Sequence, residues 1–373
     1  MEINVILSQE FGITPNHTNN IISLIDEGCT IPFIARYRKE LTGSCDDQTL
    51  RAFSDRLNYL RNLTKRKEEV FNLISEQGNM NAEIENALNA ALTLTEVEDI
   101  YRPFKPKRKT RASVAIAKGL QPLADFILRQ NNDKLMEEAE KFVSEEKEVL
   151  TAEDAIAGAK DIIAEMISDN ANLRKKLREF FEKFAKIESK CALKEGEEKE
   201  GSYVYENYFN FSSPIKGMSS HRVLALNRGE KEKILKISLN VEQEKALEVI
   251  TKMFINKKSC YKELLEEVCL DAYKRLLFDS LEREIRNELT DNANEQAIKM
   301  FEVNLKPLLM QPPLKGKVIL GLDPAYRTGC KIAVIDKTGK LLATTTVYPT
   351  EPQNDVDGAK KVLKDLINKF HIN

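Results

Sequence analysis

The stretch Lys317-Val-Ile-Leu-Gly-Leu-Asp323 decides the fold of the C-terminal part of the chain. Its apolar run is typical of a short buried strand, and the strand ends on a carboxylate. A tight reversal at 327–329 leads into Ile332-Ala-Val-Ile335, and a turn at 336–339 leads into residues 341–347. Two successive hairpins predict an antiparallel meander with Asp323 at the end of its first strand.

Most of the chain before this stretch predicts α-helices. Apolar residues recur at helical spacing in 50–63, in 173–187 and over about 28 residues from 264 to 289. Alternating residues in 203–211 and 234–239 predict a small hairpin between the helices, and the prolines at 307, 312 and 313 predict a linker. The predicted fold class is therefore mainly α, with a small β hairpin and an incomplete α/β domain at the end.

Composition narrows the function classes. The chain has 373 residues, 31% of them charged, but a formal net charge of only -2, so any basic surface must be local. The six cysteines are scattered without a C-x-x-C pair, which favours reduced thiols. No apolar run approaches the ~20 residues of a membrane span, and the first residues lack a signal-peptide pattern. We therefore expect a cytoplasmic protein that does not associate with membranes.

One segment, Tyr101-Arg-Pro-Phe-Lys-Pro-Lys-Arg-Lys-Thr-Arg111, breaks the helical pattern and is called here the basic segment 101–111. Its prolines predict an extended strap that projects cations toward phosphates. The predicted contacts are Arg102, Lys105, Lys107, Arg108, Lys109 and Arg111. Two alternatives stay open, a solvated linker anchored by Tyr101 and Phe104, or a dock for an acidic protein.

One further group of cations is a candidate of lower rank, and a second is expected to be an ordinary solvated helix face. Arg36, Arg38 and Lys39 form a short basic run that suits either phosphate contact or structural salt bridges. The cations at 174–183 lie between apolar residues of an amphipathic helix, and we expect them on its solvated face. Two adjacent helices in 120–190 suit a helix-turn-helix-like unit.

The residues for catalysis are few. Three histidines lie in separate segments, which disfavours a triad or a His-rich metal site, and no G-x-G-x-x-G is present. Asp323 is the one weak catalytic candidate, because RNase H-like nucleases begin a Mg²⁺ site with such an acid but need two or three. Asp336 and Asp355 are predicted as turn and helix-start residues. We expect no cofactor, no bound metal and no enzymatic activity.

Several motifs resemble the bacterial Tex family of transcription accessory proteins, which are related to a eukaryotic elongation factor. They are Thr30-Ile-Pro-Phe-Ile-Ala-Arg-Tyr-Arg-Lys-Glu-Leu-Thr-Gly43, Asp99-Ile-Tyr-Arg-Pro-Phe104 with its basic continuation, Arg222-Val-Leu-Ala-Leu-Asn-Arg-Gly229 and Leu320-Gly-Leu-Asp-Pro-Ala-Tyr-Arg-Thr-Gly-Cys-Lys331. The resemblance implies a helical N-terminal region, a YqgF-type RNase H-like domain, helix-hairpin-helix modules and an S1 domain. The family motif usually reads Asp-Pro-Gly, whereas Ala325 follows Pro324 here.

The resemblance also shapes the predicted domains and function. We expect a helical Tex N-terminal region at 1–200, a β-containing insertion at 201–240, a long-helix region at 241–311 and a truncated YqgF domain at 314–373. Three strands and one helix leave an open sheet edge, so a fragment lacking the later modules is expected. The predicted function is a non-enzymatic factor that binds RNA or DNA, with RNA polymerase or ribosome-associated proteins as further partners. The alternatives are a Mg²⁺-dependent nuclease that uses Asp323 and a protein-interaction scaffold.

Overall fold

The computed structural model describes residues 2–106, 109–131, 134–193, 200–256, 258–312, 314–325 and 327–372. In these residues the fold is mainly α-helical, as predicted, with two three-stranded antiparallel sheets. The chain divides into two compact units, Met1–Glu295 and Gln296–Asn373. The predicted division into four domains stays a prediction.

The first unit begins with a small helical bundle. Its helices are α1 (Ile3–Phe11), α2 (Pro15–Asp26), α3 (Ile31–Tyr37), α4 (Lys39–Thr42) and α5 (Asp47–Glu76). Leu7, Ile21, Ile34 and Phe53 are fully buried between them. Asp46 caps α5, because its carboxylate accepts a hydrogen bond from the Thr49 backbone N–H at 2.7 Å. The bundle fixes α3 by one apolar side and leaves its other side to solvent.

The helices that follow pack partly against α5 and partly against one another. They are α6 (Ala82–Ala90), α7 (Leu94–Tyr101), α8 (Arg111–Ala117), α9 (Gln121–Arg129), α10 (Leu135–Glu140), α11 (Ala152–Asp169) and α12 (Ala171–Phe184). A capping box begins α11 at Thr151 and Asp154, with each side chain accepting from the other residue's backbone N–H. Ala155 and Ala159 are fully buried, and these small residues let α8 and α9 approach α11 closely.

The first sheet has the order β2-β1-β3, and the helix that follows β2 packs against β3. Its strands are β1 (Lys186–Cys191), β2 (Asn210–Pro214) and β3 (Leu235–Asn240). Strand β1 was not predicted, since Ile187 had been placed on the preceding helix, whereas it pairs with Ser213 and Leu239. The predicted strand at 203–211 is wrong over Ser202–Tyr208, which is a 3-10 helix, and β3 confirms the predicted strand at 234–239.

The remaining helices of the first unit end with a long helix that continues past the unit boundary. They are α13 (Ser220–Lys231), α14 (Gln243–Phe254), α15 (Lys262–Asp271), a π-helical stretch (Ala272–Leu277) and α16 (Phe278–Leu309). The predicted long helix is confirmed, because 262–309 is helical throughout. The linker predicted at Pro307 is wrong there, since Pro307 lies inside the last turn of α16. The boundary between the two units falls within α16.

The second unit contains the predicted meander. Strands β4 (Ile319–Asp323), β5 (Cys330–Ile335) and β6 (Leu341–Val347) pair antiparallel in sequence order, and α17 (Val356–Phe370) follows. Ile332, Val347 and Ala359 form its small core. Gly329 has φ +77°, and a Cβ there would lie 2.5 Å from the Tyr348 ring, so the first reversal requires glycine.

Candidate nucleic-acid interface

Of two arginines predicted on a solvated helix face, one is buried and the other is only partly exposed. Arg174 of α12 is 0% exposed, and its Nε donates to the Asp99 carboxylate at 2.9 Å. Arg178 donates to the same carboxylate at 2.7 Å, and both arginines also pair with Glu284 of α16. We call these four residues the Asp99 network. It joins α7, α12 and α16, so the expectation of a solvated face was wrong for Arg174 and Arg178.

Arg102 lies against this network. Its Nε is 3.3 Å from a carboxylate oxygen of Asp169, its Nη1 is 4.0 Å from Glu284, and its Nη2 donates to Ser280 Oγ at 3.3 Å. A phosphate at Arg102 would have to compete with these two carboxylates. Its contact with nucleic acid stays a prediction, but its structural role is plain.

The described ends of the basic segment 101–111 are not an extended strap. Arg102–Phe104 form a 3-10 turn, and Arg111 begins α8, whose N-cap is Thr110. The predicted extended backbone is therefore wrong at both ends, because the prolines occupy positions compatible with a turn. Lys107 and Arg108 lie outside the described residues.

The remaining cations of this segment face a mixed electrostatic environment. Lys105, Lys109 and Arg111 are exposed, and no ion pair to them is found among the described residues. Lys109 and Arg111 line an open hollow of about 580 Å³ that Asp154 and Asp161 also line. Nearby carboxylates weaken the attraction of this hollow for a polyanion. As phosphate contacts, these three residues stay predictions.

A second surface combines cations with exposed rings, and we call it segment 33–39. Phe33 and Tyr37 lie one turn apart on α3, with ring centroids 5.3 Å apart at 45°. The Arg38 guanidinium lies 5.3 Å from the centroid of the Phe33 ring, and its Nη1 donates to the Tyr37 carbonyl at 3.1 Å. These contacts hold the Arg38 side chain beside the two rings.

The groups of segment 33–39 are available to a ligand. Tyr37 is 62% exposed, and Arg36 and Lys39 are exposed on either side of it. Within the described part of the chain, no carboxylate lies within ion-pair distance of Arg36, Arg38 or Lys39, and this includes the adjacent Glu40. The alternative of a structural salt-bridge site therefore finds no support. An exposed ring flanked by uncompensated cations is an arrangement that stacks on bases and contacts phosphates.

Asp323 lies where the sequence predicts it, at the end of β4 and exposed to solvent. Asp336 accepts hydrogen bonds from the Thr338 side chain and from the Thr338 and Lys340 backbone N–H groups, which lower the pKa of its carboxyl. Asp355 caps α17 through Gly358 N–H at 2.9 Å. The predictions of a turn and a helix start are confirmed for these two acids. Over the ranges that the structure describes, no group of three potential metal ligands occurs.

One other sequence expectation concerns the neighbouring helices α11 and α12. The two helices are separated by Asn170 alone, which caps α12 by accepting from Leu173 N–H at 2.9 Å. Arg174 and Arg178 of α12 are committed to the Asp99 network, so a helix-turn-helix role stays a prediction.

Among the helices that the structure describes, none combines the length and apolar character that crossing a bilayer requires.

A multi-helical first unit followed by a small antiparallel meander defines a helical protein with a YqgF-like domain. Comparison with family models agrees with this class. The Tex-like protein N-terminal domain matches residues 1–75, the Tex central region-like model matches residues 130–301, and the Tex protein YqgF-like domain matches residues 317–373. Segment 33–39 lies in the first of these regions.

Curated relatives match nearly the whole chain. The uncharacterized protein YdcI of Bacillus subtilis is 45% identical over 378 residues, which cover 100% of this chain and 52% of YdcI. The transcriptional accessory protein Tex of Neisseria gonorrhoeae is 39% identical over 98% of this chain and 48% of its own length. The S1 RNA-binding domain-containing protein 1 of Homo sapiens is 31% identical over 92% of this chain and 35% of its own length.

The chain belongs to the Tex family. It spans about half the length of the bacterial relatives described above.

Proposed function

We propose that this chain is a cytoplasmic, nucleic-acid-binding accessory factor of transcription, and that segment 33–39 is its principal contact with nucleic acid. The names of two relatives support the class, since one is a transcriptional accessory protein and another contains an S1 RNA-binding domain. The observation that carries the proposal is the Tyr37 ring, 62% exposed and held against Phe33 beside three cations. Solvent-exposed aromatic rings with adjacent cations favour single-stranded nucleic acid, whose bases are free to stack.

In the proposed contact, the aromatic ring binds a base and the cations bind phosphates. A base stacks on Tyr37, while Arg36 and Lys39 contact phosphates on either side of it. Arg38 is already placed against Phe33, so it loses little side-chain freedom on binding. Neither part reads a particular base edge, so we expect binding with little sequence preference.

The proposal is tested with fluorescence anisotropy on a labelled oligothymidylate of about 20 nucleotides, a length that exceeds one site of this kind. Tyr37→Ala is expected to weaken binding by about 5- to 150-fold, since a base stacked on an aromatic ring contributes about 1–3 kcal/mol. The matched control is Tyr203→Ala, because Tyr203 is 72% exposed and lies in the same unit. Equal affinities for the Tyr37 and Tyr203 variants would contradict the proposal.

The charge contribution has its own measurement. Replacing Arg36 and Lys39 together by Gln is expected to lower the slope of log affinity against log salt by about 1.4, because each phosphate contact to a single strand contributes about 0.7. If the double Gln variant keeps its salt slope while Tyr37→Ala loses affinity, the ring binds nucleic acid without help from these two cations. An affinity independent of both changes would refute segment 33–39 as the site.

We further propose that the accessory role is non-enzymatic. This rests on Asp336 and Asp355, each of which uses its Oδ1 as a turn or cap acceptor, while a two-metal site needs several carboxylates that converge on the metals. Asp323→Asn is expected to leave oligonucleotide affinity unchanged. Cleavage of the labelled oligonucleotide by the unmodified chain in Mg²⁺, abolished in Asp323→Asn, would overturn this part. Contacts with RNA polymerase or ribosomal proteins stay predictions.

A further inference from the structure

The outer face of the first sheet carries an unusual charge pattern. Side chains of β3 alternate between core and solvent, with Leu235, Ile237 and Leu239 buried and the residues between them exposed. The registers with β1 and β2 place three rows of outward residues across the sheet. The rows are Asn210, Lys190 and Lys236; Ser212, Glu188 and Ser238; and Pro214, Lys186 and Asn240.

Two lysines of this face are direct cross-strand neighbours. Lys190 of β1 pairs in register with Lys236 of β3, and both are exposed. Like charges at directly opposite positions destabilise a sheet, so this pair is unfavourable in the free protein. Lys186 lies two rows away, and no ion pair to any of the three is found in the part of the chain that the structure describes.

The acid on this face does not neutralise them. Glu188 lies in the middle row, and its Oε1 accepts a hydrogen bond from Asn240 Nδ2 at 2.7 Å. Every other outward residue of the three rows is Asn, Ser or Pro. The face is thus polar, with three lysines against one glutamate, and a polyanion laid across it would relieve the Lys190–Lys236 repulsion.

We propose that this lysine face (Lys186, Lys190 and Lys236) is a second nucleic-acid contact, which binds the sugar-phosphate backbone. The inference rests on the proposed function and extends it to a surface without any aromatic residue in its rows. Lysine, serine and asparagine side chains are regular partners of phosphate and sugar oxygens. Because no ring is present to stack on a base, this contact is insensitive to nucleic-acid sequence. It attracts and binds a nucleic-acid strand through its backbone.

The test uses the full 373-residue chain and the labelled oligothymidylate. Lys190→Gln with Lys236→Gln is expected to lower the salt slope by about 1.4, at about 0.7 per lost phosphate contact. If the electrostatic contribution vanishes near about 1 M salt, that slope corresponds to about 25-fold weaker binding at about 0.1 M. The matched control is Lys245→Gln with Lys252→Gln on α14, which removes the same charge from lysines already paired with Glu242 and Glu248.

A second readout separates binding from damage to the fold. The lysine-face variant is expected to have an unchanged or higher melting temperature, because a repulsive pair is removed. An unchanged slope in a chain that still binds through segment 33–39 would overturn the lysine face and leave the proposed function standing. A chain that binds no oligonucleotide even before substitution would overturn both. If these lysines bind polyglutamate but not the oligonucleotide, the ligand of the lysine face would be an acidic protein and the nucleic-acid proposal would be overturned.

Discussion

Asp99→Asn tests whether the Asp99 network holds the first unit together. The Asp99 side chain is only 7% exposed, and its two oxygens accept hydrogen bonds from Arg174 and Arg178 at 2.9 and 2.7 Å. Asparagine has nearly the same volume, so the change removes charge without opening a cavity. Arg174, fully buried, would keep Glu284 as its one carboxylate partner among the described residues.

The expected cost follows from burial. Removing one partner of a buried ion pair costs about 3–5 kcal/mol, because the remaining charge is left uncompensated. The lower end applies here, since Glu284 remains and is about one-third exposed. At about 2–4 °C per kcal/mol for a unit of this size, the melting temperature falls by about 6–12 °C. The matched control is Asp26→Asn, whose carboxylate makes two hydrogen bonds to Arg61 at 2.7 and 2.8 Å but is 49% exposed.

The assay is urea and thermal unfolding of both variants, followed by circular dichroism at pH 7. We expect the exposed pair to contribute less than about 1 kcal/mol, so Asp26→Asn should unfold almost as the unmodified chain does. Equal losses of stability in the two variants would refute the reasoning, because burial is the property that distinguishes them.

Three further predictions concern stability. The Arg56 hydrogen bond lowers the pKa of the Glu10 carboxyl below 4.5, so its stabilisation is present above that pH and is lost as pH falls through the folded pKa. The free energy of unfolding of Arg56→Gln, measured from about pH 6 to about pH 3, should therefore fall less steeply than that of the unmodified chain. Gly229→Ala should cost about 1–3 kcal/mol in urea unfolding, because the new Cβ would lie 2.6 Å from the Leu235 side chain, and a variant as stable as the original would contradict that contact. Asp355→Ala should cost the second unit about 1 kcal/mol through loss of the α17 cap, and an unchanged thermal transition would exclude this role.

Local signals explain what the sequence predicted correctly. The meander β4–β6 follows from apolar alternation and two turn sequences within about 30 residues, so each pairing partner lies near its neighbour in the chain. The helix start at Asp355 was equally local. The candidate acid Asp323 was placed correctly for the same reason.

Long-range contacts explain the errors. Ile187 continues the apolar spacing of α12, and only its pairing with residues 26 and 52 positions later makes β1 a strand. The partners of Arg174, Asp99 and Glu284, are 75 and 110 residues away, so a solvated face was the natural prediction. The basic segment 101–111 was interpreted by composition alone, whereas Arg102 meets Asp169 and Glu284 only in the folded chain.

Segment 33–39 was predicted from the sequence only in part. Arg36, Arg38 and Lys39 were selected from their charge, but as candidates of lower rank. The ring contact between Phe33 and Tyr37 at helical spacing was a readable signal that was not used. The exposure of Tyr37 follows from how α3 packs on α5, which no local pattern reveals.

The most direct test of the central claim is ultraviolet crosslinking of the unmodified chain to the labelled oligothymidylate, with the attached peptides identified by mass spectrometry. The account predicts that the peptide containing Tyr37 carries the principal crosslink and that Tyr37→Ala abolishes it. Crosslinks confined to peptides outside residues 31–42, with an unaltered pattern in Tyr37→Ala, would contradict it.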